Sequence, residues 1–371
     1  MGQPSTVRVA RILRRTAIPV GVFLLHRTML GLVAWLEGYQ PFAATTWARW
    51  DSAYYLHIAA NGYLPIEACS PETHYPATAW CGNAGWFPGY SWVIAVVGAP
   101  GVSLDVAGVL VAALAQLGCL LVLWRYLDDD DAWPALGVAA FFLGNVYSAA
   151  IFPVSLFLLS ALVCLGACWS GRYWLAAVAG AAAATCYPTG ILLAPVVIAW
   201  SVLHRRWRAL LIVVGVVAGY ALVLFVLRTQ AGQWDAFFRI QERYDYKPGL
   251  GINAFLARFK PLVNPRYRDA KGVVTAIQEV VATGLFGALA IHWRRLIASP
   301  RNRLVLFYFA AFFGAPLMLG GRLAWYRSEA LLFPIALLVP VLPRRLQLAF
   351  LGALVLVTLP MSALFFRGWL V

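Results

Sequence analysis

Apolar runs long enough to cross a bilayer recur along the whole of this 371-residue chain. Each lies near the ~20 residues that span hydrocarbon as a helix. Repeated runs of that length restrict the chain to one broad class, an all-α polytopic membrane protein. Composition agrees, because 62% of the residues are apolar and 12% are charged, whereas soluble domains carry roughly 25% charged residues.

Eleven spans are predicted, at roughly 16–36, 104–124, 135–152, 153–169, 173–187, 188–203, 209–227, 273–291, 303–319, 329–342 and 347–365. The first follows Arg8, Arg11, Arg14 and Arg15. It is longer than a signal-peptide apolar region and lacks a small-x-small cleavage site, so it reads as a retained anchor with a cytoplasmic basic flank. With the N-terminus inside, Arg125, Arg172, the cluster Arg205, Arg206 and Arg208, the cluster Arg294, Arg295, Arg301 and Arg303, and the pair Arg344 and Arg345 all fall on the cytoplasmic side. Every short loop on that side then carries positive charge, as orientation in membranes requires. The net charge of +14 thus has a topological source for about half of the basic residues, and nucleic acid is not expected as a partner.

The whole chain, 1–371, reads as one transmembrane domain with two long extracytoplasmic segments, about 37–103 and about 228–272. Segments such as Ile252–Phe259 suit short amphipathic helices in the membrane interface. The acidic run Asp128 to Asp131 reads as a solvated cytoplasmic turn. Cys119, Cys164, Cys168 and Cys186 lie in apolar runs, where buried thiols are ordinary. Cys69 and Cys81 share the first outer segment, and the oxidising outer face makes a disulfide between them the expectation, with two free thiols as the alternative. Only His57 and His74 lie near them, and no zinc-ligand spacing is met.

The first outer segment holds the aromatic-rich stretch Arg49–Tyr63, with Asp51 at the membrane edge, near a lipid-borne substrate and still wet. Asp51 also suits a helix N-cap, with Gly62 where the residue after a helix end belongs. A side chain at a helix start can cap and still face a substrate, so these residues leave both readings open. The second outer segment is densely basic from Arg228 to Lys271, and Arg322 and Arg327 lie in a short loop on the same side. Positive charge outside has no topological reason to accumulate. It suits phosphate, which Arg forks bind bidentately, although general attraction to anionic membrane lipids is the simpler alternative. His26 and Arg27 sit within the first apolar run, where ionisable groups belong to a functional site or a structural ion pair. No Walker loop, dinucleotide fingerprint, metalloprotease helix or serine-nucleophile elbow is present, so no cofactor and no metal are expected.

These residues also carry a resemblance. Trp50-Asp51 followed by Tyr55-Leu56-x-Ile58-Ala59-x-x-Gly62-Tyr63 resembles the first-loop motif of bacterial PIG-V-like proteins, relatives of GPI mannosyltransferase II. Trp86-Phe87-Pro88-Gly89-Tyr90 is similar to that family's aromatic element, and Pro188-Thr189-Gly190 to its Arg-Pro-Thr-Gly sequence. Gly232 to Tyr244, with Gln241 matching, and Tyr326-Arg327 with Leu332-Phe333-Pro334 follow in order. Two positions depart from the pattern: Tyr187 replaces an Arg, and Val154 stands where an acid is usual before Ser155-Leu156-Phe157.

The resemblance implies a GT-C-type glycosyltransferase of the bacterial plasma membrane, acting on its outer face in glycolipid assembly. In that scheme a sugar leaves a polyprenyl-phosphate-linked donor for a lipid or glycan acceptor, with inversion. Asp51 is the catalytic candidate. The candidate substrate-binding set is Arg49, Trp50, Tyr55, Arg239, Gln241, Arg243, Arg322, Tyr326 and Arg327. Mannose is the expected sugar, and membrane lipids are expected neighbours. One carboxylate suffices for inversion at the anomeric carbon, since the phosphate leaves already charged; a glycosidase would need two. The alternative from another class is a carrier or flippase that binds the same lipid-linked sugar without chemistry.

Overall fold

A computed structural model describes residues 5–70, 75, 78–127, 129–244, 249, 251–318 and 325–370, apart from the side chains of 5–15, 130 and 325. Among the described residues, five helices are long and apolar enough to cross a membrane: Thr16–Leu36, Leu104–Leu127, Trp207–Gln230, Ala270–Ile291 and Arg344–Phe366. Shorter apolar helices, Val154–Trp169, Tyr173–Cys186 and Pro188–His204, pack among them. The protein is a multi-pass, predominantly helical membrane protein.

The eleven uniform spans of the sequence reading resolve into unequal elements. The run at 135–152 is interrupted: a helix at Trp133–Ala140 ends in a turn where Gly144 has φ +63°, and a single helical turn follows at Val146–Ala149. The run at 329–342 forms a 3-10 helix, Glu329–Val341, with Pro334 and Pro340 inside it. Proline has no amide hydrogen and crowds the preceding turn, so regular α-hydrogen bonding cannot run through either position. Irregular backbone at membrane depth persists only where protein surrounds it, and Ala330 to Val339 are buried throughout.

Close helix approach is written in small residues. On the Leu210–Gln230 helix, Gly215 and Gly219 sit one turn apart against the backbone of Ala177 and Ala181 in the Tyr173–Cys186 helix. A Cβ at Gly215 would lie 2.8 Å from the Ala177 carbonyl carbon, and one at Gly219 would lie 2.8 Å from the Ala181 Cα. Lipid tails are as apolar as leucine, so such backbone-to-backbone packing replaces the hydrophobic effect in holding membrane helices together.

The two embedded polar residues of the first span are structural. Arg27 donates from Nη1 to the Ala149 carbonyl at 2.9 Å and lies 5.0 Å from the Trp47 ring centroid. His26 is buried beside Gln116, with Nδ1 3.1 Å from Nε2, and Gln116 in turn donates to Ser148 Oγ. Arg27 thus satisfies a backbone carbonyl at the end of Val146–Ala149, and Gln116 ties His26 to the Ser148 side chain of the same turn. Asp129 likewise accepts from the Asp131 amide at 2.9 Å, turning the chain before the next helix.

The first long segment between spans, about 37–103, is a built platform. It contains the helices Ser52–Asn61 and Gly89–Gly98 and a minimal antiparallel pair, Glu67–Ala68 with Trp80–Cys81. Cys69 and Cys81 form the expected disulfide, with Cα atoms 5.0 Å apart. Phe87 and Tyr90 are buried in the platform's aromatic core, where Tyr90 meets Tyr55 edge-on. Side chains tie the pieces together: Asn83 Oδ1 accepts from the Leu64 amide, Tyr63 Oη donates to the Trp86 carbonyl, and Ser91 Oγ donates to the Tyr55 carbonyl. In the second long segment, about 228–272, a short helix forms at Ile252–Ala257, within the stretch expected to be helical.

Candidate active site

Asp51 immediately precedes the Ser52–Asn61 helix, but its side chain makes no capping hydrogen bond. The carboxylate is instead bonded to the guanidinium of Arg327. Both side chains are partly open, 24% exposed for Asp51 and 27% for Arg327. The helix start is fixed by its neighbour: Ser52 Oγ accepts from the Arg49 amide and donates to the Ile151 carbonyl, each at 3.0 Å. That division of labour leaves the Asp51 carboxylate free of capping duty. Trp50 just before it has φ +51°, a left-handed conformation uncommon for a bulky side chain. Backbone of this kind costs about 1–3 kcal/mol and clusters at functional sites.

Phenols surround the ion pair. Tyr55, Tyr147, Tyr187 and Tyr326 all lie within electrostatic reach of Asp51 and Arg327. Tyr326 faces Tyr147 in a near-parallel arrangement, ring centroids 6.4 Å apart. Burial opposes the charge on Arg327, yet the Tyr187 and Asp51 oxygens more than offset it and hold the guanidinium above its ordinary pKa. Burial pushes the Tyr326 phenol up. Tyr187 is the residue that stands in place of an Arg in the resembled pattern, and from the extended cap between two helices it lies within electrostatic reach of the cation.

The remaining candidates separate into those near this pair and those with other work. Arg243 is wrapped by aromatic rings, 4.8 Å from Tyr75, 4.8 Å from Tyr244 and 5.5 Å from Trp86. Trp86 is stacked on Tyr54, with centroids 3.5 Å apart. Tyr244 accepts from Arg243 Nη2 at 2.8 Å; burial pushes its phenol up to about 12, against the pull of Arg243 and with a contribution from Asp51. Gln241 binds inward to the Gly85 carbonyl at 3.3 Å. Tyr55 is buried and Trp50 exposed. Arg49 lies 4.2 Å from the Tyr39 ring and donates to the Thr46 carbonyl. Arg239 is paired with Asp235 at 2.8 Å and lies over Trp80, an exposed i,i+4 contact that occupies its charge. Arg322 lies outside the described residues.

A second polar cluster flanks the Tyr326-Arg327 turn. Gln278 Nε2 donates to Glu329 Oε2 at 2.6 Å and to the Tyr326 carbonyl at 3.4 Å. Glu279, beside it on the Ala270–Ile291 helix, is bonded to Arg258, and both glutamates are buried. The sequence reading passed over these acids, although Glu279 inside a spanning run was the available signal.

The fold is similar to that of a solved membrane protein of GT-C type. A crystal structure of ArnT from Cupriavidus metallidurans bound to undecaprenyl phosphate is similar, with a TM-score of 0.55 and 15% identity over 92% of this chain and 62% of that one. This chain therefore spans somewhat less than two thirds of the length of its structural relative. The family model of glycosyltransferase family 87 matches residues 88–320, and the chain belongs to that family. No curated protein matches it in sequence. The family match bears out a glycosyltransferase and the structural match a GT-C-like fold, while the narrower PIG-V-like likeness gains no support from them. Neither Asp51 nor Arg327 lies inside the matched segment.

Proposed function

We propose that the protein transfers a mannosyl residue from a polyprenyl-phosphate donor to a lipid or glycan acceptor on the outer face of a bacterial plasma membrane, with inversion. The observation that carries this reading is the Asp51–Arg327 pair, a carboxylate free of capping duty bonded to a guanidinium among phenols. Such a pair supplies the two charges that the reaction uses. The acceptor hydroxyl oxygen bonds to the anomeric carbon while the bond from that carbon to the phosphate oxygen breaks. The hydroxyl proton passes to an Asp51 oxygen, as general-base catalysis requires. The lipid phosphate leaves with its negative charge, held by charge-assisted hydrogen bonds from Arg327 and from Arg243 in its aromatic setting. The likeness to ArnT, whose structure holds undecaprenyl phosphate, supports a polyprenyl carrier as the donor class.

The test is direct: purified protein is incubated with radiolabelled polyprenyl-phosphate-mannose and a panel of lipid acceptors, and labelled product is resolved by chromatography. Formation of a mannosylated acceptor that depends on Asp51 supports the reading. Movement of the intact donor across a vesicle membrane without product, unaffected by Asp51→Asn, would instead identify a carrier.

A further inference from the structure

Three cations of the second outer segment line a cleft that the transfer reaction does not use. The helical turn Lys260–Val263 and the 3-10 turn Pro265–Tyr267 fold against the start of the Ala270–Ile291 helix. Between them lies a cavity of about 550 Å³, with Lys260, Arg266, Tyr267 and Arg268 in its lining. That volume is within the ~300–1,000 Å³ typical of small-molecule sites.

The lining keeps an excess of positive charge, three cations against the single carboxylate of Asp269. Asp269 is the lining's acid, and its Oδ1 is taken up by the Gly272 amide at the start of the Ala270–Ile291 helix. None of Lys260, Arg266 and Arg268 forms an ion pair with a carboxylate among the described residues. Arg268 is oriented by one hydrogen bond from Nη2 to the Leu262 carbonyl at 3.2 Å, which leaves other guanidinium N–H groups unused. Lys260 lies 5.6 Å from the Tyr267 ring centroid. Three like charges around one cavity repel each other until an anion joins them.

Position narrows the class of anion. The Ala270–Ile291 helix is apolar and long enough to span a bilayer, so the cleft at its first residues lies at headgroup level. Lys271 continues the positive surface toward the ion pair, its Nζ 6.0 Å from the Tyr326 ring centroid. We propose that this cleft is a binding site for a phosphate group, a phosphodiester headgroup or a free phosphate, held by Lys260, Arg266 and Arg268. The proposal goes beyond the transferase reading and stands without it, since binding is measured with no turnover.

The experiment uses the delipidated full chain in detergent and measures binding of short-chain phosphatidylglycerol, of a matched diacylglycerol and of inorganic phosphate. Lys260→Gln/Arg266→Gln/Arg268→Gln is expected to weaken phosphatidylglycerol binding at least ~10-fold, the low end for losing charge-assisted hydrogen bonds, and to leave diacylglycerol binding unchanged. The control is Arg205→Gln/Arg206→Gln/Arg208→Gln, which removes the same charge from an exposed loop elsewhere. An equal loss in the control means general electrostatic attraction and overturns the proposal, as does a cleft variant that binds like wild type. Competition by inorganic phosphate makes free phosphate a source; failure to compete assigns the site to the lipid headgroup, and either supports a phosphate site. Should the triple variant fold poorly, Arg266→Gln alone serves, because that side chain is exposed and a loss of at least ~3-fold is expected from one surface charge; no loss there overturns the proposal.

Discussion

Arg327 bonds Asp51 across 276 positions of sequence, joining a turn near the end of the chain to one near its start. Neither side chain belongs to a long membrane-spanning helix; each sits on a short segment held by its own polar contacts. Ser52 fixes the Asp51 side through the Arg49 amide and the Ile151 carbonyl. Gln278 fixes the Arg327 side through the Tyr326 carbonyl and Glu329. The pair is therefore presented by two braced turns, and its geometry depends on residues that touch neither partner.

Asp51→Asn separates chemistry from structure. Asn retains an oxygen that can accept from Arg327 but cannot take up a proton at catalytic pH. No capping bond is lost, because Asp51 makes none, and a partly exposed ion pair contributes about 1 kcal/mol or less. Turnover is expected to fall at least ~100-fold, with the melting temperature shifted by only a few degrees. Near wild-type turnover in the Asn variant would remove Asp51 from the mechanism.

The arginines are expected to rank by their surroundings. Arg327→Gln should lower donor kcat/KM by about 10- to 100-fold, equivalent to 1.5–3 kcal/mol for hydrogen bonds to a charged group. Arg327→Lys keeps the charge without the fork and should fall between. Arg243→Gln should act in the same direction as Arg327→Gln. Arg239→Gln should change little, because Asp235 already occupies that exposed guanidinium. Steady-state kinetics against donor concentration check the order; a dominant effect at Arg239 would refute it.

Gln278→Leu tests the brace behind Arg327. The substitution removes the donor to Glu329 Oε2 and to the Tyr326 carbonyl, leaving a buried carboxyl oxygen without that bond. Such a loss costs roughly 1–3 kcal/mol and should also raise donor KM by loosening the Arg327 turn. Gln278→Glu leaves the residue without its amide donors beside two glutamates and should be worse than Leu. A Leu variant with wild-type stability and KM would show that the turn is held otherwise.

Gly219→Val probes the helix contact that shapes the bundle. The added atoms would meet the Ala181 backbone, which has no flexible end to move aside. Overpacking of this kind costs about 1–3 kcal/mol, read as a lower melting temperature. Gly287→Ala is the control, since a Cβ there meets nothing within 4 Å.

What the sequence disclosed follows from the range of the interaction behind each feature. Asp51 stood out because a wet acid beside a membrane run is visible locally, and the basic segment 228–272 because, in the expected topology, its charge runs against the positive-inside bias. Arg239 had its explanation four residues away in Asp235, and the reading that grouped it with phosphate ligands overlooked that local pair. The partnership of Asp51 with Arg327 was not legible, because nothing in either segment specifies a contact 276 positions away. His26 and Arg27 were ambiguous for the same reason: their partners, Gln116 and the Ala149 carbonyl, lie in other helices. Pro334 and Pro340 did announce that the run at 329–342 would not be an ordinary helix, but not that surrounding protein would bury it. The outer segment at 37–103 read as a loop because its helices are short, although the alternation of aromatic and small residues there builds a packed platform.

The Cys69–Cys81 disulfide closes a 12-residue separation and joins the two strands of that platform. In the chain-entropy model a loop of this size contributes ~3 kcal/mol by restricting the unfolded chain. Its position matters for Asp51 through a short relay: the strand containing Cys81 leads into Asn83, which fixes the Leu64 amide and the Gly62 carbonyl at the far end of the Ser52–Asn61 helix. Cys69→Ser/Cys81→Ser is therefore expected to lower the melting temperature by several degrees and to reduce turnover by a few fold, well short of the loss in Asp51→Asn. Intact-mass measurement after alkylation, with and without reductant, checks the bond itself. Two alkylated thiols at these positions in unreduced protein would show that the outer segment is not oxidised, and would also count against placing Asp51 on the outer face.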